Sequence, residues 1–159
     1  MSDMLFDPTA FLDQTTETAS EKRPPVPALD YLATITDLEI KQWQSKDKYN
    51  EDGTLKSGIQ FVMSLELQLP PEIQEMCKIP KLTLVDRPMI DMLPDRTGID
   101  YGVGKNNRLR QYREATGLNN PGQSFSPRML VGRLIKVRVA HEDYQGNLQE
   151  RIGALAKAA

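Results

Sequence analysis

One cysteine, Cys77, and one histidine, His141, are all that this chain offers for thiolate or imidazole chemistry. An internal disulfide is therefore excluded, and a zinc site or a Cys–His nucleophile lacks its second member. No apolar run approaches the roughly 20 residues needed to cross a bilayer. Leu5, Phe6, Phe11 and Leu12 are spaced by acids and polar residues, which is not the basic region and apolar stretch of a secretory signal. A cytosolic protein without a membrane partner is expected. Aromatic residues make up only 6% of the chain, so the core must rely on aliphatic side chains, with the seven methionines as packing material rather than a ligand set.

What is present is segregated charge. The net charge is −2, yet Lys105, Arg108, Arg110, Arg113, Arg128, Arg133, Lys136 and Arg138 stand against a single acid, Glu114, between positions 105 and 138. The first 21 residues carry Asp3, Asp7, Asp13, Glu17 and Glu21 and no base. Attraction to a polyanion depends on local potential rather than net charge, so the basic segment points to a phosphate-bearing or acidic partner.

A length of 159 residues suits one domain with an appendage. Residues 1–28 read as an acidic arm closed by Lys22-Arg23-Pro24-Pro25-Val26-Pro27, and residues 29–159 as the domain. Asp7-Pro8 is placed to start a short helix carrying Phe11 and Leu12, with Asp7 as cap. Such a helix cannot fold alone, so Phe6, Phe11 and Leu12 are candidate docking residues toward a second copy or another protein.

Tyr31 to Ile40 favours a strand, with Leu32, Leu38 and Ile40 on the buried parity and Trp43 on the wetter one. Gln44 to Ser57 is polar, with Asp52-Gly53 as a hairpin loop. Ile59, Phe61, Met63, Leu65, Leu67 and Leu69 alternate with mostly polar residues and give the clearest strand, buried on one face. Pro71 to Met76 suits a short helix. Leu82 to Met92 returns to strand character interrupted at Pro88, as on an edge or at a bulge.

Asn106 to Thr116 then predicts a helix with an Asn cap, a stripe of Leu109, Tyr112 and Thr116, and Gly117 as terminator with Leu118 folding back. A short turn falls at Ser126 to Leu130. Leu134 to His141 alternates again, with Ile135, Val137 and Val139 facing in and Lys136 and Arg138 out. Tyr144 to Asn147 turns into a last strand around Leu148 to Leu155. Three strands, a main helix and a closing two-strand hairpin make a mainly β, α+β protein in the order of an OB-fold, a five-stranded barrel with its helix between strands three and four.

The catalytic candidates are weak. Gly102-Val103-Gly104-Lys105 resembles a phosphate loop, but Ile99 and Asn106 stand where that loop needs Gly and Ser or Thr. Asp86, Asp91, Asp95 and Asp100 match no calcium loop, and His141 reads as a packed or rim residue. No enzyme, cofactor or metal is expected. A groove that binds single strands needs cations along a phosphate path and aromatic faces for bases. Lys105, Arg108, Arg110, Arg113, Lys136 and Arg138 supply the first, and Trp43, Tyr49, Tyr101 and Phe125 the second. Against this, Arg110 and Glu114 have the spacing of an ordinary helix ion pair, and Trp43 is large enough to cap a core.

The run Gly104-Lys105-Asn106, then Leu109, Arg113-Glu114-Ala115 and Gly117, then Leu130-Val131-Gly132-Arg133 leading into Ile135-Lys136-Val137, resembles a family of bacteriophage-encoded, single-stranded-DNA-binding-like OB proteins. The resemblance extends over residues 28–158. It implies a non-catalytic phage protein that binds single-stranded DNA in replication or recombination within the host cytoplasm. The chain departs from bacterial-type single-strand binders, which recruit partners through an acidic C-terminal tail, by ending in Leu155-Ala156-Lys157-Ala158-Ala159. The rival class is a virion structural protein, a capsid-decorating or cementing subunit, whose arm clamps a neighbour.

Overall fold

The computed structural model describes residues 6–159; Asp3 and Leu5 of the arm lie outside the described residues. A short helix α1 (Pro8–Leu12) is followed by two long antiparallel strands, β1 (Asp30–Tyr49) and β2 (Leu55–Gln68). Their hairpin reaches far beyond the expected end of the first strand, because Lys41 to Gln44 stay paired with Gln60 to Ser57 although few of them are apolar. The turn closes through Asn50 N–H to Thr54 C=O at 2.8 Å, with Gly53 at φ 88°. Thr54 donates its hydroxyl and N–H to Asp52, which holds that carboxyl below its ordinary range.

On β2 the expected alternation is present: Phe61, Met63, Leu65 and Leu67 are fully buried. On β1 it is not as expected. Tyr31, Ala33 and Ile35 face the core, Leu32 is 37% exposed and Ile40 60% exposed. A bulge between Ile35 and Asp37 reverses the parity in mid-strand. The inserted residue moves Leu38, opposite Met63, onto the inner face and leaves Leu32 on the outer one. Ile40 lies opposite the buried Phe61 yet is itself left exposed.

Helix α2 (Pro71–Cys77) leads into β3 (Lys81–Asp86) and the two-residue β4 (Met89–Ile90), both paired with β2. Pro88, with no N–H to give, separates them, and its carbonyl accepts instead from Phe61 N–H at 3.0 Å. Helix α3 (Asn107–Thr116) precedes a 3-10 turn (Pro127–Leu130) and the hairpin of β5 (Leu134–Tyr144) and β6 (Asn147–Lys157). Gln145 and Gly146, both at positive φ, form its tight turn.

The result is a six-stranded antiparallel sheet in the order β3-β2-β1-β5-β6, with β4 beside β2. The closed five-stranded barrel read from the sequence does not form: among the described residues no ladder joins β3 to β6. Helix α3 bridges the gap instead. Leu109, Tyr112 and Ala115 enter the core, while Arg108 donates from Nε to Asp86 Oδ2 on β3 at 2.8 Å and from Nη2 to the Ile152 carbonyl on β6 at 3.3 Å. Tyr112 Oη donates to the same carboxylate oxygen at 2.7 Å. Burial, with the Asp86 charge close by, raises the Tyr112 pKa far above its ordinary value, so the phenol remains a donor. Arg108 is thus a clasp between the two sheet edges.

The arm divides into two parts. In α1, Asp7 Oδ1 accepts from Thr9 and Ala10 N–H, as the sequence predicts, and Phe6 stacks on Phe11 with centroids 4.9 Å apart. Phe6, Phe11 and Leu12 nonetheless stay 70%, 56% and 85% exposed. Lys22 to Pro27 belongs physically to the domain. Lys22 bonds Asn147, Arg23 pairs with Glu150 at 2.7 Å, and Val26 is completely buried in the core. The Val26 carbonyl lies 2.6 Å from His141 Nε2, and the Pro27 carbonyl accepts from Tyr31 Oη at 2.9 Å.

Candidate nucleic-acid interface

The segment from Asp91 to Asn106 is long, polar and loop-like, and one side chain holds it shut. The sequence predicts Asn106 as the cap of α3, but its backbone is left-handed (φ 50°, ψ 51°) and its side chain makes no cap bond. Instead it is buried. Its Oδ1 accepts from Asp91 N–H at 2.7 Å, and its Nδ2 donates to the Asp91 and Asp100 carbonyls at 3.0 and 2.8 Å. Asp91 Oδ2 in turn accepts from Asn106 N–H at 3.0 Å. A short Asn side chain that tolerates positive φ and offers both donors and an acceptor meets all three demands. A Met92–Ile99 bridge continues the pinch, and Arg96 ties the loop to β2 through Ser57 Oγ at 2.9 Å. At the tip, Thr97 donates to Asp95, which keeps that carboxyl ionised to lower pH than usual.

The clamped loop is a wall of two cavities. The larger, about 710 Å³, lies against the β1–β2 hairpin and is lined by Ile40, Trp43, Ile59, Met92, Arg96 and Ile99 among others. Trp43 is half-buried and lies opposite Gly58. Its ring covers that glycine so closely that a methyl group there would come within 2.7 Å of Nε1. The smaller, about 280 Å³, opens where α3 begins and is lined by Tyr101, Lys105, Asn107, Arg110 and Arg113. No acid occupies the first turn of α3, so the partial positive charge of the helix start adds to that of the side chains.

Four of the sequence-derived candidates, Tyr101, Lys105, Arg110 and Arg113, line this smaller cavity, and a fifth, Phe125, packs against two of them. The Arg113 guanidinium lies 4.3 Å from the Phe125 ring centre and 5.6 Å from that of Tyr101, the two rings pack edge-on at 6.2 Å, and Arg113 Nε donates to the Leu118 carbonyl at 3.2 Å. Burial raises the Tyr101 pKa, against the opposing pull of Arg113; the ring is a neutral stacking surface. Lys105 forms no ion pair among the described residues, and Arg110 meets only Glu114, at 3.7 Å with both side chains more than half exposed, a pair worth little.

The other candidates lie elsewhere. Arg108 is committed to Asp86 and β6. Tyr49 is exposed at the end of β1. Lys136 and Arg138 lie on the outer face of β5, opposite Leu32 and Asp30, and Arg138 pairs with Asp30 at 3.1 Å. Sequence reasoning missed Arg96 and the clamping role of Asn106. An Asn flanked by Gly104 and a helix start carried the only local signal, and it reads equally as a cap.

Among the described residues no group of three or more His, Cys, Asp or Glu side chains is placed to hold a metal ion, and no helix is long and apolar enough to cross a membrane. No protein-family model matches this chain, and no curated protein matches it.

Proposed function

We propose that this chain is a non-catalytic single-stranded-DNA-binding protein of a bacteriophage, acting in replication or recombination in the host cytoplasm. The observation that carries the reading is the convergence of Tyr101, Lys105, Arg110 and Arg113 on one cavity, with Phe125 packed against Arg113 and Tyr101 behind it. That combination serves a phosphate and a base together. The Trp43 groove lies across the same loop and gives a second base a stacking surface. The strand order β3-β2-β1-β5-β6, with α3 ahead of the closing hairpin, supports an OB-like, half-open barrel, a scaffold suited to oligonucleotides. Binding of this kind requires no cofactor.

Trp43 provides the test. Its emission should be quenched by an oligothymidine, and Trp43→Ala should lose roughly 1–3 kcal/mol of binding free energy. Because the indole is half-buried on Gly58 rather than within the core, the same variant should lose less folding stability than the about 3–5 kcal/mol of a core tryptophan. Gly58→Ala should displace the ring and weaken binding without removing an aromatic. Unchanged affinity in both folded variants would take Trp43 out of the interface.

A further inference from the structure

Helix α1 is too short to be stable alone; its Phe6 stacks on Phe11 and its Leu12 is exposed. Residues 6–21 contain Asp7, Asp13, Glu17 and Glu21 and no base. The helix therefore presents an apolar cluster within an acidic segment. The outer face of β1 and β5 is its complement. Leu32 pairs with Lys136, Thr34 with Leu134 and Asp30 with Arg138, and Leu32 and Leu134 are 37% and 43% exposed. Two leucines on a sheet face beside Lys136, which forms no ion pair among the described residues, offer apolar contact and positive charge together; Arg138 on the same face is already paired with Asp30.

We infer that the arm of one copy docks through Phe6, Phe11 and Leu12 on the Leu32–Leu134–Lys136 face of a second copy, so that the chain self-associates through its arms. The arm's own anchor runs with the inner side of the sheet, where Val26 is buried and meets His141. The nine residues from Asp13 to Glu21 extend at most about 30 Å, enough to cross to a neighbour. Lys136 then serves assembly, while Lys105, Arg110 and Arg113 form the separate cationic cavity. The inference rests on reading the arm as an assembly element and not on DNA binding, because self-association is measured without nucleic acid.

Sedimentation velocity across a concentration series tests it. The full chain should associate, and Phe11→Ser and Lys136→Glu should each give monomers whose thermal unfolding is cooperative. A charge-swapped mixture gives the stricter test. Lys136→Glu chains and Asp13→Lys/Glu17→Lys chains, which keep the Asp7 cap of α1, should each remain monomeric alone and associate when mixed, since the basic arm of one meets the acidic face of the other. A full chain monomeric at every concentration, or association that persists in Lys136→Glu, would overturn the inference. So would loss of association on Lys105→Glu alone, which would seat the arm in the α3 cavity.

Discussion

Removing residues 1–27 is expected to lower the unfolding free energy by about 3–5 kcal/mol, whereas removing residues 1–21 leaves it within about 0.5 kcal/mol in dilute protein. The difference lies in six residues. Full burial of Val26 contributes about 1.5–3 kcal/mol. Its loss opens a cavity beside β5 and strips the partners from His141, Tyr31 and Glu150. The Arg23–Glu150 ion pair, shielded enough that the Glu150 side chain is only 8% exposed, is lost with the segment. Urea unfolding of the two truncations measures the effect. Equal stability would mean that Lys22 to Pro27 is a tether, and α1 would then begin a uniform arm ending at residue 28.

Asn106→Ala should cost about 3–5 kcal/mol. Three side-chain hydrogen bonds are lost at roughly 0.5–1.5 kcal/mol each, and alanine at φ 50° adds roughly 1–2 kcal/mol of backbone strain. Asn106→Gly separates the two effects: it removes the same hydrogen bonds without the strain and should be less damaging by about 1 kcal/mol. In both variants the loop from Asp91 to Asn106 loses its clamp, so the walls of both cavities loosen and oligothymidine affinity falls in the protein that remains folded. Stability close to that of the native chain would show that the Met92–Ile99 bridge and Arg96 suffice to hold the loop.

These two sites also mark the limit of what the sequence reveals. The alternation of β2, the Pro88 break and the end of α3 at Gly117 follow from local chemistry, and each is present. The β1 bulge is invisible because the polar and β-branched residues around Thr36 fit either parity; the extension of the hairpin to Tyr49 depends on pairing with β2 rather than on its own apolar residues. Val26 sits in a proline-rich stretch that locally favours extended backbone, and only the far hairpin of β5 and β6 gives it a core to enter. Asn106 bonds residues 15 and 6 positions away, a distance that no capping pattern encodes. Of the basic run, the helix positions that reach solvent at the cavity were legible. Diversion of Arg108 to Asp86 was not, because that acid lies 22 residues earlier.

Salt-dependent titration of oligothymidine against the native chain and the Lys105→Glu/Arg110→Glu variant bears most directly on the proposed interface. If the cavity at the start of α3 holds the phosphate backbone, log K falls linearly with log salt. Losing two phosphate contacts should flatten that slope by about 1.4, at roughly 0.7 for each contact on a single strand. Arg108→Gln, which opens the clasp, should instead lower stability and leave the slope of the folded protein unchanged. No binding by the well-folded native protein at low salt, or an identical slope in the charge-reversed variant, would contradict the assignment of this cavity to single-stranded DNA.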